Sequence, residues 1–156
     1  MFKFNINPRE RERFNCHNMS NLKPFKDENS YKYGFKNSYG SVIISPVYSE
    51  CREFSEGLAA CNFGRWGFID ERGDTVIPFK FFDVGDFHFG LACVNIDNRW
   101  GYINKQGKVE IKPKFSMAHD FFKDSQGNIY AIVVMPENNV MREFVINTKG
   151  KIMDRI

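Results

Sequence analysis

The chain is poor in the residues that build helices. Among 156 residues it has 3 Leu and 5 Ala, although both are among the commonest residues in globular domains and Ala is the best helix former. No apolar run reaches the roughly 18–20 residues of a membrane-spanning helix. An excess of one charge is also missing. Residues 1–30 carry six Lys/Arg against four Asp/Glu, and residues 31–156 carry sixteen against fifteen. The net charge of +3 is therefore mostly N-terminal, and the body lacks the basic face that displaces counterions from phosphates. This disfavours nucleic acid as a partner.

Metal-ligand spacing is absent too. Cys16, Cys51, Cys61 and Cys93 form no CxxC pair, and His17, His88 and His119 add no partner pattern. No cofactor is implied. The N-terminus, Met1-Phe2-Lys3-Phe4 followed by Asn7-Pro8 and the alternating Arg9–Arg13 stretch, holds no continuous apolar core for a secretory signal. The expectation is a cytoplasmic chain with reduced thiols, not associated with a membrane, whose residues 1–20 form a flexible, solvated segment.

What the chain has is aromatic and β-branched: 17 Phe, 13 Ile and 10 Val. These side chains suit a pleated sheet, so an all-β domain over residues 21–156 is expected. Self-comparison shows how it is organised. Tyr33-Gly34-Phe35 through Gly40 matches Trp66-Gly67-Phe68-Ile69-Asp70 through Gly73 at an offset of 33, and Trp100-Gly101-Tyr102-Ile103-Asn104 through Gly107 follows at 34. Ile44, Ile77 and Ile111 correspond, as do Tyr48, Phe81 and Phe115, and then Phe54, Phe87 and Phe121. A degenerate fourth copy runs from Phe144 to Gly150, after an insertion between residues 123 and 141. The copies span about 31–62, 65–96, 99–135 and 141–156.

Each part of the unit has a physical reading. Asp or Asn three residues before Gly suits a type I turn closed by a left-handed glycine, which gives a hairpin at 37–40, 70–73, 104–107 and 147–150. Trp66 and Phe68 share one strand face and Ile69 the other. Gly67 inside a strand implies a large side chain across its backbone. Pro46, Pro78 and Pro113 stand where a missing N–H does least harm. Third strands follow at Leu58–Asn62, Leu91–Ile96 and Ile129–Met135, and Leu22–Lys26 pairs with Tyr31–Phe35 to open the array. Between strands two and three, Phe81 and Phe87 anchor a loop or a single helical turn. One unit cannot bury its aromatic face alone, so the units stack. The expected fold is three full copies and one partial copy of an antiparallel hairpin repeat in a curled, solenoid-like sheet, with a closed barrel or a partial propeller as the alternative.

The sequence aromatic-Gly-[Phe/Tyr]-Ile-[Asp/Asn]-x-x-Gly, then Ile-Pro, then Phe-x-x-Gly-Leu-Ala, resembles the WG-repeat family, also called KWG repeats. Tyr33 replaces the first Trp, and Glu143-Phe144 replaces Trp-Gly in the last copy. The resemblance implies a bacterial tandem β module that mediates interactions, and it brings no catalytic residues.

The chemistry-bearing residues have plainer explanations. Trp66 and Trp100 are candidate stacking platforms, but repeat-spaced aromatics favour a core role. Asp70, Asn104 and Asn147 are accounted for as turn residues. Asp83 with Asp86, and Asp120 with Asp124, would need a shared cleft to act as an acid–base pair, and solvated loops are favoured. His88 and His119 lie in corresponding loops and approach each other if the loops stack, but two histidines alone make a poor metal site. The insertions Lys123–Asn128 and Met135–Val140 lengthen a loop and a turn, and place Asp124, Gln126 and Asn128 among the candidate binding residues with Trp66 and Trp100. The leading expectation is a non-catalytic module that binds a protein or peptide. Carbohydrate or cell-wall binding through exposed aromatics is the alternative, and a small hydrolase using Asp83 or Asp86 is remote.

Overall fold

The computed structural model describes residues 21–156; the expected flexible segment 1–20, with Cys16 and His17, lies outside them. The described residues form sixteen strands and no helix. They divide into four antiparallel sheets, none of which closes into a barrel. The first holds β1 (Lys23–Lys26), β2 (Tyr33–Lys36) and β3 (Val42–Tyr48). The second holds β4 (Glu50–Cys51), β5 (Ala59–Asn62), β6 (Trp66–Ile69) and β7 (Thr75–Phe81). The third repeats this with β8 (Asp83–Val84), β9 (Leu91–Ile96), β10 (Arg99–Asn104) and β11 (Val109–Phe115). The last contains β12 (Met117–Ala118), β13 (Phe122–Lys123), β14 (Ile129–Glu137), β15 (Val140–Asn147) and β16 (Ile152–Arg155). Each sheet thus joins the third strand of one sequence copy to the hairpin of the next. As expected, β1 pairs with β2.

Strand alternation sends one face of each sheet backward and the other forward along the chain. Phe35, Ile44 and Tyr48 of the first sheet share a core with Ala59, Cys61 and Ile69 of the second. Trp66, Phe68, Ile77 and Phe81 share the next with Ala92, Val94 and Ile103. Tyr102, Ile111 and Phe115 share the third with Ala131, Val133, Phe144 and Ile146. Three cores between four sheets hold the domain together.

The loop anchors occupy equivalent places. Phe54 packs on Phe35, Phe87 on Phe68 and Phe121 on Tyr102, each with ring centroids 4.8 Å apart. No helical turn forms between strands two and three. Two-residue strands and the isolated bridges Ser55↔Leu58 and His88↔Leu91 take its place, because the Gly-Leu-Ala step folds the loop straight back into the next strand.

What closes over Gly67 is mainly backbone rather than the expected large side chain. The pairing of β6 with β7 slips between Trp66 and Phe68, and the resulting bulge at Pro78 carries the main chain across the glycine. A Cβ on Gly67 would lie 2.7 Å from Ile77 O and 2.8 Å from Phe79 N, with the Phe79 ring edge also at 2.8 Å. Gly101 faces Ile111 O and Pro113 N at 2.5 and 2.7 Å. The last copy lacks this upper slip, since Phe144 pairs directly with Arg155, and so a phenylalanine fits at the glycine position.

The turn glycines bind neighbouring sheets together. Gly73 rests on the side chain of Ile44, Gly107 on Ile77 and Gly150 on Ile111, each on the isoleucine one unit earlier.

The second insertion lengthens strands rather than a turn. β14 and β15 pair from Tyr130↔Asn147 to Glu137↔Val140, and the link is the two-residue turn Asn138-Asn139, with φ of 51° and 62°. Two positive φ values give the turn that matches strand twist, and Asn tolerates them.

Candidate functional site

Polar side chains gather where the loops of successive units stack. Arg52, just after β4, reaches forward into the next loop. Its guanidinium donates to Val84 O at 2.6 Å, lies 3.5 Å from Asp83 Oδ1 and 4.0 Å from Asp86 Oδ1, and covers the Trp66 ring at 4.7 Å. Ser55 Oγ donates to Phe87 O at 2.6 Å, and the Gly90 amide donates to Glu56 Oε1 at 2.9 Å. One unit later His88 Nε2 stands 3.7 Å from Asp120 Oδ2, while Cys93 Sγ lies 3.5 Å from Asp120 Oδ1. His88 therefore meets Asp120 rather than His119, whose carbonyl accepts from Tyr102 Oη at 2.7 Å. Gly85 makes this approach possible, because a Cβ there would run into the Asp120 carboxylate and the Cys93 sulfur.

The electrostatics fit a clasp between repeats. Burial, reinforced by the neighbouring Asp120 charge, pushes the Cys93 thiol up, so it stays protonated and is a poor nucleophile. Cys51 and Cys61 are opposed on β4 and β5 with sulfurs 2.7 Å apart, and that hydrogen bond, together with burial, pushes the Cys61 thiol up. Asp83 and Asp86 both face the Arg52 cation, so neither stands in a cleft opposite the other. Among the described residues no group of three or more His, Cys, Asp or Glu side chains is arranged to hold a metal.

Asp86 gives a pH signature. Burial raises its carboxyl above the ordinary 3.8, outweighing the Arg52 cation, which pulls it down. At Asp86 the folded state then holds more of the proton than the unfolded state in the window just above 3.8, and the contribution of this residue to stability falls as pH rises through that window. Asp86→Asn should remove this slope. Urea titrations at pH values on either side of the window check it, and an unchanged slope refutes it.

The candidate binding residues lie in several places. Trp66 is buried at 6% exposure, and Trp100 packs half-buried against the third core. Neither ring is an open platform. Asp124, Gln126 and Asn128 form another tight turn: Asp124 Oδ1 accepts from the Gln126 and Asn128 amides at 2.9 and 2.8 Å, and Gly127 closes the turn at φ 89°. The same bonds recur at Asn37, Asp70, Asn104 and Asn147. The side-chain bond from Asn128, followed by the amides and Tyr130, holds the Asp124 carboxyl below its usual range.

The open surface is the forward face of the last sheet. Pairing sets Tyr130 opposite Asn147, Ile132 opposite Val145 and Val134 opposite Glu143, all on one face, with Asp154 beside Val145. Val145 stands where Phe35, Phe68 and Tyr102 stand in the earlier sheets, and Asp154 stands where Ile44, Ile77 and Ile111 stand. A shallow groove there is lined by Tyr130, Val145, Asn147 and Met153, and Phe122 leans on Tyr130 at 4.5 Å. No described strand covers this face. Sequence reading passed over it, although the replacements of Trp by Glu143 and of Ile by Asp154 were the signal.

Sequence comparison now adds to this geometry. The model of the family described as WG containing repeat matches residues 33–61, 66–100 and 100–135. The chain belongs to the WG-repeat family. The matched WG units cover the aromatic-Gly strands β2, β6 and β10 and their hairpins. No curated protein and no solved structure matches the chain. Among the described residues of this WG-repeat chain, no helix is long and apolar enough to cross a membrane.

Proposed function

We propose that this WG-repeat chain is a non-catalytic interaction module that binds another protein or a peptide through the forward face and free edge of its last sheet. One observation carries the reading: the face that receives a neighbouring sheet in each of the first three units is uncovered in the fourth, and Tyr130, Ile132, Val134 and Val145 still line it. Burying such a patch favours association by roughly 25 cal/mol per Å² of apolar surface. Beside it β16, exposed at every residue, offers unpaired backbone groups for strand addition. The carbohydrate reading has less support, because Trp66 is buried and Trp100 half-buried against the third core.

Crosslinking and mass spectrometry on the full chain in native lysate test the proposal. The expected result is crosslinks from Lys149 and Lys151 to a defined partner, lost in Val145→Lys while the circular dichroism stays native. Crosslinks that survive Val145→Lys, or none from this end, overturn it.

A further inference from the structure

The backward face of the first sheet is as unusual as the forward face of the last. In later sheets this face carries Ala59, Cys61 and Ile69, then Ala92, Val94 and Ile103, and finally Ala131, Val133 and Ile146. The corresponding residues of the first sheet are Lys23, Phe25 and Lys36. Lys36 Nζ lies over the Phe25 ring at 4.2 Å, and Lys23 bonds Glu53 of its own chain at 2.9 Å. On these end faces the first sheet therefore carries Lys23 and Lys36 and the last sheet Glu143 and Asp154, and Lys36 and Asp154 fall on matching positions. Inside the molecule Ile69 shares a core with Ile44, Ile103 with Ile77, and Ile146 with Ile111. Lys36 is the residue equivalent to Ile69, and Asp154 the one equivalent to Ile44.

Resting on the functional reading above, we propose that the partner of the last sheet is the first sheet of a second copy of this chain. The copies join head to tail in the register the repeats already use, with Lys36 of one chain opposite Asp154 of the next. Phe25 then covers the apolar surface around Ile132 and Val145, and Glu143 adds a second carboxylate. The ion pair takes the place of an isoleucine pair, so each end alone stays polar enough for a soluble single chain. Because different faces meet, the contact does not close on itself and chains add in a row. The charges select register and orientation, and their attraction weakens with salt.

Sedimentation velocity on the full chain over a range of concentrations tests this. The wild type should form concentration-dependent species larger than a dimer at low salt, and fewer of them at high salt. Asp154→Lys and Lys36→Asp should each weaken association about tenfold, since each sets like charges together. An equimolar mixture of the two variants should restore it, because the lysine introduced in one chain then faces the aspartate introduced in the other, and restoration shows that both variants are folded. A wild type that stays monomeric at every concentration, single variants that associate as well as the wild type, or a mixture no better than its components would each overturn the proposal. A monomeric wild type that still crosslinks through this face to a different protein ends the self-association proposal and leaves the functional reading standing. Loss of both removes the reading itself.

Discussion

Gly67→Ala should be among the most damaging single-methyl changes in the molecule, lowering unfolding free energy by about 3 kcal/mol. The new carbon would meet Ile77 O at 2.7 Å and Phe79 N at 2.8 Å. Both are backbone atoms fixed by the bulge at Pro78, so no side-chain rotation relieves the contact. Gly101→Ala should behave alike, for the same reason. Gly90→Ala is the informative comparison, because a Cβ there enters open space but the residue sits at φ 77°. It should lose only the left-handed penalty of about 1 kcal/mol. Urea unfolding midpoints rank the three. Equal losses at Gly67 and Gly90 would mean that conformation, not the crossing backbone, selects glycine in the WG strand.

Removing a loop anchor should cost still more. Phe87→Ala and Phe121→Ala each empty a fully buried site, and such truncations lose about 3–5 kcal/mol, a large part of the 5–15 kcal/mol that stabilises a typical domain. Phe54→Ala separates two effects. Its ring meets Phe35 at the same 4.8 Å centroid distance, but Phe54 is only half-buried. If ring pairing dominated, all three losses would be similar, yet aromatic pairs add only about 0.5–1.5 kcal/mol beyond burial. The Phe54 variant should therefore fall clearly short of the other two. Thermal or urea denaturation decides, and three equal losses would refute burial as the main term.

Much of this architecture was legible because the repeat enforces it. Leu91–Ile96 was read to the residue, the four hairpins fall on their Asp/Asn-x-x-Gly signals, and the opening strand pairs where the pattern put it. The fifth turn, Asp124 to Gly127, carries the same signal but stands outside the period, and so was read as a loop. Asn138-Asn139 looked like added turn length, although two adjacent asparagines can hold both left-handed positions of a two-residue turn and let the strands grow instead. The clasp of Arg52 on Asp83 and Asp86 depends on how loops of successive units lie over one another, which the spacing of residues along one chain leaves open. The same holds for the open end face. Its residues are ordinary for a strand, and their meaning comes from comparing each with its counterpart in a covered sheet.

The seating of each turn glycine on an earlier isoleucine also bears on how the chain tolerates change in length. Ile111 and Gly150 are nine residues farther apart in sequence than Ile77 and Gly107, yet both pairs touch. The extra residues are taken up by an added hairpin and by longer strands, which leave the contact in place. Length between such fixed points is therefore free to drift, while the points themselves are not. A foreign segment grafted at Gly127 should be carried as cargo, whereas one residue inserted between Asn104 and Gly107 should unseat two sheets at once.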